Sequence, residues 1–199
     1  MKLFHAPTSP YARKVRVTIR EKGLGDVEEI VVNPWEDPPE LRAANPFGKV
    51  PTLVLDDSAV LYDSPVICDY LDGIGDGPHL VPQDADARRR VMIAQALGDG
   101  VLDMAVALVM EGRRPEGERS SSMMERWRGQ AMGGVDAMAR DVGGLGDGVN
   151  LGHITFGCAL GYLDFRHDGL GWRAGRGDLA VWFAEFAARP AMADTKPSA

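Results

Sequence analysis

The sequence predicts an α/β N-terminal half followed by an all-α half, on three observations. Apolar strand patterns at 1–5, 28–32, 52–55 and 59–62 alternate with helical patterns at 9–22 and from Ser64 onward. No strand pattern occurs after residue 62. A Gly- and Asp-rich run from Gly73 to Gly77, followed by Pro78 and Pro82, separates the halves, as such punctuation does at domain boundaries. A chain of 199 residues is long enough for two small domains, each with a buried core.

In chain order, Met1-Lys2-Leu3-Phe4 opens a short strand that Ala6-Pro7 interrupts. Thr8-Ser9-Pro10 is a helix start. Ser9 serves as N-cap, and Pro10 at the first helical position loses no needed donor. That helix runs to Lys22, where Gly23 and Gly25 stop it, and turns Ala12, Val15 and Ile19 toward the core. Residues 28–32 form a second strand, and a β-α-β unit of this length favours a parallel pair. Pro34, Pro38 and Pro39 leave a loop with a short helix over 39–44. Thr52 to Leu55, the turn Asp56-Asp57-Ser58 and Ala59 to Tyr62 read as an antiparallel hairpin. Ser64-Pro65 starts another helix, with Ser64 as N-cap and Val66, Ile67, Tyr70 and Leu71 as its apolar stripe. The order β-α-β, then β-β-α, is a thioredoxin-like arrangement, assigned to residues 1–76.

Residues 84–199 read as the all-helical domain. Ala85 to Glu111 is one long helix, in which Gly98 and Gly100 mark close packing or a bend at about 1 kcal/mol each. Ser122-Met123-Met124-Glu125 is a capping box, and Met124, Trp127, Ala131, Met138 and Val142 share a helix face. After a loop at 143–148, Ile154, Phe156, Ala159, Leu160 and Leu163 mark the central helix of this core. Leu179, Trp182, Phe183 and Phe186 predict a final amphipathic helix.

Composition narrows the function. A formal charge of −7 argues against a nucleic-acid partner, and Arg88-Arg89-Arg90 reads as a solvated helix face. Two cysteines, Cys68 and Cys158, and no CxxC argue against a disulfide framework and fit a reducing compartment. With no basic leader and no run of 18 apolar residues, the expectation is a cytoplasmic protein without a membrane span. His5, His79 and His167 are scattered without metal spacing, so no metal is expected. The strand-to-helix turn at Ser9, with a hydroxyl beside helix N-terminal amides, suits an anion, and a thiolate is the anion expected.

Four motifs stand in order along the chain. They are Ser9-Pro10-Tyr11-Ala12-Arg13-Lys14-Val15-Arg16, Asn45-Pro46-Phe47-Gly48-Lys49-Val50-Pro51-Thr52-Leu53, Leu61-Tyr62-Asp63-Ser64-Pro65-Val66-Ile67 and Leu160-Gly161-Tyr162-Leu163-Asp164-Phe165-Arg166. With them, essentially the whole chain resembles the cytosolic glutathione S-transferases, especially bacterial members of serine type. The resemblance implies glutathione as co-substrate, a small hydrophobic electrophile, detoxifying chemistry and a homodimer. It places a cis proline at Pro51 and pairs the Val50 backbone with the cysteinyl unit. Asp63 and Ser64 would hold the γ-glutamyl end, although Ser64 is equally an ordinary N-cap. Lys49 would meet the glycyl carboxylate, with Trp35 as a wall; a solvated loop lysine is the other reading. The electrophile pocket would lie between the domains, with Tyr11, Met104, Leu108 and Met110 as candidates.

Ser9 would then donate its hydroxyl proton to the glutathione sulfur. Lowering a thiol pKa from about 8.5 by about two units takes roughly 2.7 kcal/mol. A hydrogen bond to a charged acceptor supplies about 1.5–3 kcal/mol, so hydroxyl and helix amides together suffice. Thr8 is the rival hydroxyl; Ser9 is preferred because it directly precedes Pro10-Tyr11. The absence of cysteine from residues 9–12 disfavours disulfide exchange through the protein, while a glutathione-dependent reductase, an isomerase or a non-catalytic binding protein remain alternatives. One departure from the family pattern falls at Asn150 and His153, where a Ser/Thr-x-x-Asp capping box is usual; some loss of stability is expected there.

Overall fold

The computed structural model describes residues 1–75 and 77–198. The boundary expected at residue 76, and the last residue of the second domain, lie outside the described residues. Elements of the first part are β1 (Lys2–His5), α1 (Pro10–Glu21), β2 (Glu28–Val31), α2 (Pro39–Ala44), β3 (Thr52–Val54), β4 (Val60–Leu61) and α3 (Ser64–Asp72). The sheet order is β2-β1-β3-β4, with β1 and β2 parallel and β3 antiparallel to both β1 and β4. This is the thioredoxin-like half read from the sequence. β1 lies inside the sheet, and its Leu3, Phe4 and His5 are all buried.

α1 forms as its sequence requires. Ser9 Oγ accepts from Ala12 N–H at 3.2 Å, and Gly23 at φ +65° adopts the left-handed conformation that ends a helix. Ala12, Val15 and Ile19 are buried on its inner face. α3 differs from expectation by one residue. Asp63, in extended conformation, occupies the N-cap position, and Ser64 is the first helical residue. The buried stripe is therefore Ser64, Ile67, Cys68 and Leu71, at i, i+3, i+4 and i+7, which turns Val66 to the other side and leaves it exposed.

The chain divides into two units, Met1–Val81 with Pro190–Ala199, and Pro82–Arg189. Residues 77–81 thus stay with the sheet, and the C-terminal segment, including the short α8 (Pro190–Ala193), returns to pack on α1. Both follow from buried cations of α1 and its C-cap. Arg13 Nη2 donates to Met192 O at 3.0 Å. Lys22 Nζ donates to the carbonyls of Asp72 (2.9 Å), Gly77 (3.2 Å) and Pro78 (3.1 Å), and the Asp72 carboxylate accepts from the N–H groups of Leu80 and Val81.

The second unit is built from α4 (Ala85–Gly112), α5 (Ser121–Asp141), α6 (Leu151–Arg166) and α7 (Gly177–Ala187). α4 is long and apolar enough to cross a membrane by length and composition, but it is a core helix here, packed on α5 and α6. Gly98 is a site of close approach, since a Cβ there would stand 2.6 Å from Thr155 Cγ2. α5 starts two residues before the expected capping box, because Ser120 is the residue whose Oγ accepts from Met123 N–H. α6 is buried on nearly every side and forms the centre of this core. Asn150 caps it, accepting from His153 N–H at 3.1 Å and donating to Leu145 O at 2.8 Å. The His153 imidazole takes no part in a reciprocal cap; it stacks against Trp182 and Phe186.

His5, His153 and His167 all titrate below the ordinary histidine value of 6.5, burial being the first cause in each. The unfolded chain takes up protons near 6.5 while these folded imidazoles stay neutral, so the unfolded state binds more protons. Their contribution is complete above that value and is lost as pH falls toward the folded pKa values. The urea midpoint is expected to drop between about pH 7.5 and about pH 5.5, and less steeply in His153→Phe, whose ring keeps the stack. Identical pH dependence of the two proteins would contradict this reading of His153.

Candidate functional site

Strand register gathers the site at one end of the sheet. β1 pairs antiparallel with β3 through Phe4 and Thr52, and β3 with β4 through Leu53 and Leu61. The end of β1, the start of β3 and the end of β4 therefore lie side by side, as does the end of β2, where Val32 N–H donates to His5 O at 2.9 Å. The segments leaving this end carry Thr8 and Ser9, Trp35, Lys49 to Pro51, and Asp63 with Ser64. Topology thus brings every sequence-predicted site residue of the first unit to one edge.

Ser9 is half-buried at the N-cap of α1. Its Oγ accepts the Ala12 N–H, which uses a lone pair and leaves the hydroxyl proton to donate. Capping and donation to an anion are therefore compatible in one side chain. Thr8 is one residue further out in the preceding turn. The Val50–Pro51 peptide bond is cis, as the resemblance implied, and the Tyr62–Asp63 bond is cis as well. Among the described residues, the Val50 N–H and C=O enter no main-chain hydrogen bond. An unpaired residue beside a strand end offers one donor and one acceptor to a peptide lying antiparallel to it.

Asp63 is exposed and makes no cap hydrogen bond, so its carboxylate faces solvent beside the start of α3. Ser64 is 2% exposed. The helical ladder starts with Ile67 N–H donating to Asp63 O at 3.0 Å, which leaves the first-turn donors of Ser64 and Val66 facing the same end. A carboxylate next to helix N-terminal amides suits a zwitterion, with its ammonium on the first and its carboxylate on the second. Lys49 is exposed, and Trp35, in a 3₁₀ turn over Pro34–Glu36, is 68% exposed.

Sequence reasoning missed the groups that hold the Lys49–Pro51 loop. Asn45, 2% exposed, donates to Lys49 O at 3.2 Å and to Thr52 Oγ1 at 3.0 Å, and accepts from Phe47 N–H at 3.0 Å. Thr52 Oγ1 donates to the same Lys49 carbonyl at 2.8 Å. The Phe47 ring meets Tyr62 edge-on at 6.2 Å, linking this loop to the residue before Asp63. Asn-Pro marked a turn in the sequence; nothing local marked its side chain as a bracket. In the helical unit, Leu108 is 4% exposed and belongs to the core, while Met104 and Met110 are half-buried.

A thioredoxin-like sheet bearing a cis proline before β3, followed by an all-helical unit, defines the class of glutathione S-transferase-like proteins. Residues 3–79 match the glutathione S-transferase N-terminal domain family and residues 123–185 its C-terminal domain family. The chain is 34% identical to an uncharacterized GST-like protein of Escherichia coli K12, YibF, over 99% of this chain and 98% of that one. A glutathione S-transferase structure from Methylobacillus flagellatus KT, with GSH bound, is 41% identical, covers 99% of both chains and superposes with a TM-score of 0.92. A glutathione transferase family member from Pseudomonas fluorescens Pf-5, with bound S-(propanoic acid)-glutathione, is 37% identical over 100% of both chains, with a TM-score of 0.91. The chain belongs to the glutathione S-transferase family.

Proposed function

We propose that the protein is a serine-type glutathione transferase, in which Ser9 stabilises the glutathione thiolate for attack on a small hydrophobic electrophile. The observation that carries this is the convergence, at one sheet edge, of a capping hydroxyl with its proton to spare, an unpaired Val50 backbone and a free carboxylate at the start of α3. The Val50 N–H and C=O pair with the cysteinyl unit beside Pro51. Asp63 takes the α-ammonium group, the Ser64 end of α3 takes the α-carboxylate, and Lys49 and Trp35 border the glycyl end. GSH bound to one solved relative and S-(propanoic acid)-glutathione bound to the other support this reading. Glutathione itself is the nucleophile; the protein holds it and lowers its pKa. A cytoplasmic homodimer with a detoxifying role completes the proposal, and sedimentation of the purified protein tests the dimer.

The reading is tested by rates with an aryl halide and with a small disulfide, both in the presence of glutathione. Conjugation of the halide is expected to dominate, because no cysteine stands at residues 9–12 to carry a mixed disulfide. Faster disulfide reduction would make the protein a reductase, and turnover of neither would leave the isomerase and the non-catalytic binding protein as the readings. Asp63→Ala is expected to weaken glutathione binding about tenfold or more by calorimetry, the scale of a lost charge-assisted hydrogen bond. Unaltered affinity would move the γ-glutamyl site elsewhere.

A further inference from the structure

The hydrogen bonds around Asn45 exceed what a turn requires. Asn45 caps the C-terminus of α2, its N–H donating to Leu41 O at 2.7 Å, and Thr52 lies in β3 opposite Phe4 of β1. Both residues are buried, one fixed to a helix and the other to the sheet. The turn itself is closed by Gly48 N–H on Asn45 O at 2.9 Å and by Phe47 N–H on Asn45 Oδ1 at 3.0 Å. The Phe47 bond settles which amide atom is the oxygen. Nδ2 then has two protons to give, and they go to Lys49 O (3.2 Å) and Thr52 Oγ1 (3.0 Å). The Thr52 hydroxyl, having accepted from Asn45, donates its own proton to Lys49 O at 2.8 Å.

Two side chains thus converge on one carbonyl. Their donor protons and the Asn45 oxygen are all used within the network, so neither side chain has a donor left for a ligand. What they fix is the peptide between Lys49 and Val50. That bond is trans, the cis bonds of the described residues being Val50–Pro51 and Tyr62–Asp63. In a planar trans peptide the C=O and N–H point in opposite directions. With Lys49 O held against buried Asn45 and Thr52, the Val50 N–H is turned away from them, and among the described residues it meets no main-chain acceptor. A carbonyl that accepts two hydrogen bonds also polarises its own amide, which makes the N–H on the far side a better donor.

We propose that Asn45 and Thr52 are positioning residues for glutathione, which aim the Val50 N–H at the cysteinyl carbonyl and strengthen it as a donor. This rests on the reading above in which the cysteinyl unit lies along Val50. An N–H held in place before binding needs no ordering when the peptide arrives, so more of its bond appears as affinity. Neither residue touches the sulfur. Their loss therefore weakens glutathione binding and leaves the pKa of the bound thiol where it is, the reverse of the effect assigned to Ser9.

The test titrates glutathione into isotope-labelled full-length protein and follows the Val50 amide by NMR, for wild type, Thr52→Val, Asn45→Ser and Thr52→Ser. Thr52→Val leaves Asn45 on Lys49 O, and Asn45→Ser leaves Thr52 there and an oxygen for Phe47 N–H, so the two variants are read independently and either one decides. In the wild type the Val50 amide proton is expected to move downfield as it gains an acceptor. Thr52→Val and Asn45→Ser should each weaken glutathione about three- to tenfold, the scale of one neutral hydrogen bond, and shrink that movement. Thr52→Ser, which keeps the hydroxyl, should behave as wild type in both. Weakened binding with the full Val50 movement retained would mark a merely structural loss and overturn the proposal. Unchanged affinity in the variants, beside a Val50 amide that moves, would sink the positioning role alone. A wild-type protein that binds no glutathione, or binds it with Val50 unmoved, would sink the reading of Val50 together with it.

Discussion

Ser9→Ala is expected to raise the apparent thiol pKa of bound glutathione by about one to two units, the equivalent of about 1.5–3 kcal/mol for a hydrogen bond to a charged acceptor. At a pH well below the wild-type pKa, the thiolate fraction then falls about ten- to a hundredfold, and conjugation rate falls with it. Well above both pKa values the two proteins converge, since thiolate is then fully formed in each. Affinity for glutathione stays largely intact, because Val50, Asp63 and the start of α3 are untouched. The same substitution removes the acceptor for Ala12 N–H, at a cost of about 1 kcal/mol. Ser9→Thr keeps both the hydroxyl and the cap, and separates the chemical loss from the structural one. Thr8→Val, removing the neighbouring hydroxyl, is expected to leave the pH profile in place; a collapse there would transfer the role from Ser9 to Thr8.

The second large effect lies at the other end of the same helices. Lys22 and Asp72 stand at the C-termini of α1 and α3, whose N-termini present Ser9 and Ser64. A 12-residue helix such as α1 spans about 18 Å, so this clasp is remote from the chemistry. The Lys22 side chain is 1% exposed and its ammonium reaches three carbonyls, with Asp72 Oδ1 at 3.5 Å. Lys22→Met leaves those carbonyls without their donor and the buried carboxylate without its counter-ion, and is expected to destabilise the protein by about 3–5 kcal/mol. Asp72→Ala strands the N–H groups of Leu80 and Val81 and the Lys22 charge, with a loss of about the same size. The double variant should cost less than the sum, since each single change removes the other's partner. Urea unfolding measures all three. Fully additive losses, or losses below about 1 kcal/mol, would show that the clasp carries little.

Most of the fold is legible from local chemistry. Ser9-Pro10 announces α1, Gly23 ends it, and the paired strand patterns around Asp56-Asp57-Ser58 announce the hairpin. The thioredoxin-like half, the helical half and the burial of Ala12, Val15 and Ile19 follow from such short-range signals. The misplacements share one cause. At Asp63-Ser64 and at Ser120–Ser122 several residues of capping type are adjacent, and tertiary packing selects among them. The partner of Lys22 is 50 residues away, at Asp72, and Asn45 acts as a bracket only once Lys49 and Thr52 have folded back on it. No local pattern carries such information. The candidate site residues stand at element boundaries, where hydroxyls, carboxylates and prolines are ordinary capping residues, so it is the four motifs in register, and not any one residue, that single them out.

On the proposed function, Ser9 holds bound glutathione as a thiolate. The direct measurement is a spectroscopic pH titration of the thiolate in the glutathione complex, for wild type, Ser9→Ala and Ser9→Thr. The wild-type and threonine complexes should titrate about two units below free glutathione, with the alanine complex returning most of the way. Coincident curves for wild type and Ser9→Ala would contradict the account.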